Sequence, residues 1–179
     1  MTREIVIDAS ASAPWVLEDE RTDHTERMLH LVLDRLLRIL VPDLWHYESL
    51  NALRGAAARG RIGEREARKA QRVLESLPKE VVPAEEQGGA AILARAFDLN
   101  LTVYDATYHA LADSRSIELV TSDRHLLALR PRVPWIMTIE EFLQNVWDRQ
   151  PPEERPPSSV PEPPDGEGHA DPGSHPGSG

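Results

Sequence analysis

Short apolar runs that lack any helical period recur along this chain, and each is followed by a stretch with apolar residues at helical spacing. Residues 4–8, Arg38-Ile39-Leu40-Val41-Pro42, Glu80-Val81-Val82-Pro83, residues 117–121 and Pro134-Trp135-Ile136-Met137 read as strands, being short, apolar and mostly β-branched. Segments 23–37, 43–53, 64–77, 84–98 and 105–114 read as helices, the fourth weakened by Gly88-Gly89. Ser10 or Ser12 is expected to cap a further short helix through Trp15, and Thr138-x-x-Glu141 to cap a last one reaching Val146 or Trp147. Parallel neighbours need a crossover, and a helix is the usual one, so this alternation implies an α/β fold with a central parallel sheet flanked by helices. Ligands of such sheets gather at the carboxyl ends of the strands.

The composition break after Gln150 sets the expected organisation. Pro, Glu, Ser, Gly and His dominate from there to Gly179, and Val160 is the one large apolar residue. A segment of that kind buries too little surface to offset its ordering entropy. The expectation is an α/β domain over 1–149 and a disordered tail over 150–179. With no cysteine in the chain, disulfides, thiolate metal sites and a cysteine nucleophile are excluded. No basic-then-apolar leader and no apolar run of the ~20 residues a membrane span needs is present, so a cytoplasmic protein with no membrane partner is expected.

A net charge of −10 would argue against a nucleic-acid partner, but half of it belongs to the tail, which carries six acids and one Arg. Arg54, Arg59, Arg61, Arg65, Arg68, Lys69 and Arg72 fall within nineteen residues, opposed there only by Glu64 and Glu66. The run reads either as a phosphate-binding surface or as a solvated helix face with Glu–Arg pairs.

Asp8, Glu48, Asp105 and Asp123 each stand where a strand or helix would carry them to one edge of the sheet. Asp8, Asp105 and Asp123 precede helical segments, where Asp also serves as an N-cap. Glu48 sits within the largely apolar stretch Leu44–Leu53, so it is expected to face a cleft. Gathered carboxylates repel one another and are costly to desolvate, and a hard divalent cation removes that cost. His46, His109 and His125 lie near the acidic segments but read as surface or half-buried side chains.

Asp8-x-Ser10 after the first strand resembles the opening motif of the PIN-domain family, and more closely its VapC-like toxin ribonucleases. Glu48-x-x-Asn51-Ala52-Leu53-Arg54, Tyr104-Asp105-Ala106-x-Tyr108-x-Ala110-Leu111-Ala112 and Leu119-Val120-Thr121-x-Asp123-x-x-Leu126 resemble the three motifs that follow, in the family's order. The resemblance spans roughly residues 4–147. It implies a PIN-like three-layer fold and a Mg²⁺- or Mn²⁺-dependent endoribonuclease. Asp8, Glu48, Asp105 and Asp123 would be the catalytic and metal-binding set, with Ser10, Asn51 and Thr121 supporting it. It also implies a homodimer and a VapB-like antitoxin partner, as in toxin–antitoxin pairs. Arg54, Arg59, Arg61, Arg65 and Arg68 are expected to hold the RNA. The alternative is a PIN-fold module that binds RNA or protein without turnover.

Overall fold

A computed structural model describes residues 2–149. The expected disordered tail and the domain boundary at 149 therefore concern residues outside the described ones. Five strands, β1 (Arg3–Ile7), β2 (Leu37–Pro42), β3 (Lys79–Val82), β4 (Leu119–Val120) and β5 (Ile136–Met137), form one sheet in the order β3-β2-β1-β4-β5. Every pairing is parallel. Ile5, Val6, Ile7, Ile39, Leu40 and Val41 are fully buried, as expected of strands covered on both faces.

The helices follow from local chemistry, with informative departures. α1 (Ala9–Ser12) starts directly after β1, because Asp8 rather than Ser10 or Ser12 caps it and accepts from the Ser10 N–H. Pro14 then falls in the 3₁₀ turn Ala13–Trp15. α2 (Asp23–Leu33) is shorter than its apolar pattern, since Arg35 at φ 58° reverses the chain and delivers Leu37 to β2. α3 (Leu44–Ala58) is capped by Asp43 and runs beyond Leu53; α4 (Glu64–Ser76) follows the Gly60–Gly63 turn. The expected 84–98 helix is two, α5 (Ala84–Gln87) and α6 (Gly89–Leu99), broken at Gly88, whose φ of 79° suits glycine.

α7 (Val103–Arg115) is the central helix, with Ala106 to Ala112 all buried, because α6 and the sheet enclose it. Thr102, not Asp105, is its N-cap. α8 (Arg124–Leu127) is capped by Asp123. α9 (Ile139–Phe142) opens with the Thr138/Glu141 capping box and continues as a π-helical turn over Leu143–Trp147. No helix among the described residues is long and apolar enough to cross a membrane.

The N–H and hydroxyl of Thr138 both donate to Glu141, and with Arg130 nearby they hold its carboxyl below the ordinary range. A carboxyl depressed in the folded state adds stability above its unfolded pKa, and that contribution fades as pH falls through the folded value. In urea unfolding, Glu141→Gln is therefore expected to be less stable than the parent near neutral pH. The gap should close below about pH 4.

Candidate active site

The strand order reverses between β1 and β4, and the carboxyl ends of these two strands hold the most buried carboxylate among the described residues. Asp8 is 6% exposed. Its Oδ2 accepts from the Thr121 hydroxyl at 2.6 Å and from the Ser10 hydroxyl at 2.7 Å. Thr121 Oγ1 in turn accepts from the Asp123 N–H at 2.9 Å, and Ser10 Oγ from the Ser122 N–H at 3.0 Å. Each hydroxyl thus donates to the carboxylate and accepts from the loop after β4. Asp8 Oδ1 receives only the Ser10 N–H, at 3.3 Å. Burial pushes the Asp8 carboxyl above its ordinary range, the hydroxyls pull against that, and the charge of Asp123 adds to the rise.

Glu48 reaches the same edge from the second turn of α3. Trp45, Ser49, Leu53 and Ala56 form the adjacent, buried face of that helix, which leaves Glu48 half-buried at its margin. Its Oε2 accepts from the Tyr108 hydroxyl of α7 at 2.5 Å. Burial raises the Glu48 carboxyl, and so do the charges of Asp8, Asp105 and Asp123, while Tyr108 opposes them. Glu48 thus lies within electrostatic reach of the other three carboxylates. Tyr108 is almost wholly buried, and burial with the charges of Asp8 and Glu48 keeps its hydroxyl protonated.

Asp105 and Asp123 are fixed by the ends of their helices. Asp105 occupies the first turn of α7, where its N–H donates to the Thr102 hydroxyl and its Oδ2 accepts from that hydroxyl at 2.8 Å. Asp123 Oδ1 accepts from the His125 and Leu126 N–H groups at 2.7 and 3.2 Å. One oxygen each of Glu48, Asp105 and Asp123 makes no hydrogen bond among the described residues. No ion pair among the described residues includes any of the four carboxylates, although the rest of the surface carries many. A hard divalent cation fits this donor set in kind: oxygen only, anionic and unneutralised. No three Asp, Glu or His side chains among the described residues stand close enough, as they lie, to hold one ion.

The other sequence candidates are not all gathered here. Asn51 is exposed one turn along α3 from Glu48, and its side chain makes no hydrogen bond among the described residues. Arg54, Arg59 and Arg65 are exposed. The Arg59 guanidinium folds back over Gly55, where an added Cβ would lie 3.1 Å from it, and so overlies the Glu48 stripe of α3. Arg61 instead forms ion pairs with Asp19 at 2.7 Å and Glu20 at 2.5 Å. Arg68 pairs with Glu64 on its own helix, as the solvated-face reading of this run anticipates. Tyr108 stood in the third motif with no role assigned; its place three residues after Asp105 was the available signal. His109 is buried against Trp135, its ring centroid 4.8 Å away, and faces away from Tyr108 on α7. A cavity of about 850 Å³ lies at the opposite, amino-terminal edge and is lined by Arg3, Glu4, Arg38, Lys79, Glu80 and Glu118. Its acids are paired with arginines, so buried unpaired charge singles out the other edge.

An all-parallel five-stranded sheet in this order, covered by helices on both faces, defines an α/β domain of the PIN type. No protein-family profile matches the chain. It is 35% identical to Ribonuclease VapC3 of Pyrobaculum aerophilum over 127 residues, which span 69% of this chain and 92% of that one. It is 32% identical to VapC ribonuclease Mb0985 of Mycobacterium bovis, over 68% of this chain and 87% of the relative. Exonuclease VapC9 of Pyrobaculum aerophilum is 35% identical over 72% of this chain and 86% of its own. The crystal structure of PAE2754 from Pyrobaculum aerophilum superposes with a TM-score of 0.62 at 27% identity, covering 80% of this chain and 88% of that one. The chain belongs to the VapC-like PIN-domain family.

Removing the Tyr108 hydroxyl leaves a half-buried carboxylate short of its one donor while the ring stays packed. Tyr108→Phe is expected to lower unfolding free energy by roughly 1.5–3 kcal/mol in denaturant titration, the range for a hydrogen bond to a charged group. Tyr104→Phe, at an exposed position, should change it by less than about 0.5 kcal/mol.

Proposed function

We propose that this protein is a divalent-cation-dependent endoribonuclease, the toxin of a VapBC-type toxin–antitoxin pair acting in the cytoplasm. One observation supports the reading: Glu48 and the three carboxylates within its electrostatic reach make no ion pair among the described residues. Glu4, Glu80 and Glu118 at the opposite edge are paired with arginines, and these are not. Family membership adds the ribonuclease activity of the named relatives. One of them is named an exonuclease, so internal cutting is itself part of what is tested.

Asp8, Glu48, Asp105 and Asp123 would hold Mg²⁺ or Mn²⁺, which supplies an acidified water and neutralises charge on the departing oxygen. The chain's own groups prepare that chemistry. Thr121 and Ser10 saturate Asp8 Oδ2 and leave Oδ1 as the freer ligand atom. Tyr108 does the same for Glu48, holding Oε2 and leaving Oε1. Thr121 also ties the Asp123 backbone to Asp8, so the two acids move as one unit. Arg54, Arg59 and Arg65 carry RNA phosphates toward the cleft; Arg61 and Arg68 are already engaged and contribute less. Asn51 lies between Glu48 and Arg54 on α3, in reach of the same strand. A homodimer is proposed to cover Leu93, Phe97 and Val103, exposed apolar side chains of α6 and the start of α7. A VapB-like antitoxin is inferred from family membership.

Incubating the purified chain with circular and linear RNA in Mg²⁺, Mn²⁺ or EDTA tests the proposal. Cleavage of the circle in either metal, lost in EDTA and in Asp8→Asn or Asp123→Asn, is expected. Intact circles beside shortened linear RNA would make the enzyme an exonuclease, and intact RNA throughout would favour the binding module. Because Asp8 is buried without a counter-charge among the described residues, Asp8→Asn should melt at least as high as the parent in EDTA. Arg54→Ala and Arg59→Ala should each flatten the salt dependence of RNA binding by about 0.7 in log–log slope.

A further inference from the structure

We propose that a groove between α4 and the 3₁₀ turns after α1 is the docking site of the chain's own segment 153–165, which thereby shields part of the basic face of α4. The contact itself does not depend on the ribonuclease reading; its effect on RNA rests on that reading.

The groove, about 620 Å³, lies between α4 and the 3₁₀ turns Ala13–Trp15 and Glu18–Glu20. Trp15, Val16, Ile62 and Val73 give it apolar walls, and Arg21 and Lys69 also line it. Its Arg61 is held by Asp19 and Glu20, and its Glu66 by the Gly63 N–H. Arg21 and Lys69 make no ion pair among the described residues, against one unengaged lining acid, Glu18. Lys69 also belongs to the stripe Arg65, Lys69 and Arg72 of α4, at i, i+4 and i+7, all exposed and without ion pairs among the described residues. The residues three and four positions from Arg65 are Arg61, Ile62, Arg68 and Lys69, so its own helix offers it no acid. An anionic partner from elsewhere would relieve that repulsion.

Segment 153–165 has the complementary chemistry. Its acids Glu153, Glu154, Glu162 and Asp165 outnumber its one cation, Arg155, and Val160 is the one large apolar residue after Gln150. Prolines flank Val160 on both sides and restrict the backbone in advance, which lowers the entropy lost on docking. The origin of the segment suits the groove as well. Asp148 is held by Arg27 of α2 at 2.5 Å. Two residues earlier on α2, the Thr25 carbonyl accepts from Trp15 Nε1 at 3.0 Å, and Trp15 lines the groove. The stretch from Asp148 to Glu162 can span up to about 50 Å, and a tether of that length holds the segment at roughly millimolar effective concentration. With Val160 against the apolar walls, the carboxylates meet Arg21, Lys69, Arg65 and Arg72. Arg65 is then withheld from RNA phosphates, and affinity for RNA falls below what the open face would give.

The chain has no cysteine, so Ser158→Cys offers a single labelling site beside Val160. With a nitroxide there, NMR of the full-length chain should show the amide signals of residues 15–21 and 61–73 broadened, and those around Glu118 at the opposite edge unaffected. Val160→Ser, which alters no charge, should remove most of that broadening. In chains that also carry Asp8→Asn to prevent cutting, Val160→Ser should lower Kd for an oligoribonucleotide by about 3- to 10-fold at low salt. The two chains should converge at high salt, where the ionic contacts are screened. No broadening in the groove, or broadening that Val160→Ser leaves unchanged, overturns the docking. Broadening that fades when the labelled chain is diluted with unlabelled chain overturns it too, and assigns the groove to contact between copies. Docking with RNA affinity unmoved by Val160→Ser overturns the shielding of Arg65. Docking in a protein whose variants bind no RNA would sink the ribonuclease reading and leave the contact standing.

Discussion

A carboxylate buried where the sheet changes direction governs the rest of this molecule. Asp8 directly follows β1, the middle strand of the five, so it cannot turn out to solvent without disturbing the α1 start that it caps. Buried, its oxygens need donors, and the hydroxyls of Ser10 and Thr121 provide them. Those hydroxyls then accept from the backbone after β4, so a single charge organises the loops on both sides of the switch point. Two neutral donors do not neutralise its ionised form, which is why a cation is proposed at this edge. A Leu at this position would pack more cheaply, which fits the general trade of stability for function.

α7 extends the arrangement across the sheet. It is enclosed on nearly every side, yet it carries Asp105 in its exposed first turn and Tyr108 one turn further in. The buried length fixes the helix, and the helix fixes the acid. Glu48 depends on it in turn: α3 brings this side chain to the margin of the core, and the Tyr108 hydroxyl selects its position. Hydroxyl groups thus hold Asp8 to the loop after β4, Glu48 to α7 and Asp105 to the cap of its own helix. The surface beyond is divided between arginines committed to ion pairs and arginines left open, and of the open ones Arg54 lies on α3, as does exposed Tyr47.

Much of this was legible residue by residue. Ile5-Val6-Ile7 can be little else than a covered strand, and the parallel sheet follows from how such runs alternate with helical segments. Asp43 and Thr138 announced helix starts because capping is local chemistry within three residues. Errors fell where a local signal met a tertiary demand. The apolar pattern of α2 runs to Leu37, but that residue is wanted in β2, and Arg35 adopts a left-handed conformation to deliver it. Ser10 looks like a cap and is instead a donor to Asp8.

What the chain determined by itself was the α/β class, the order of the elements and the four acids at their ends, since period, propensity and capping act over a few residues. Tertiary structure alone decided the partners. Tyr108 meets Glu48 across 60 positions, Thr121 meets Asp8 across 113, and Arg61 is drawn from the basic run to Asp19 across 42. Contacts at such separations depend on which strand lies beside which and on how each helix is rotated. Burial of the whole core sets that rotation, and no local pattern encodes it.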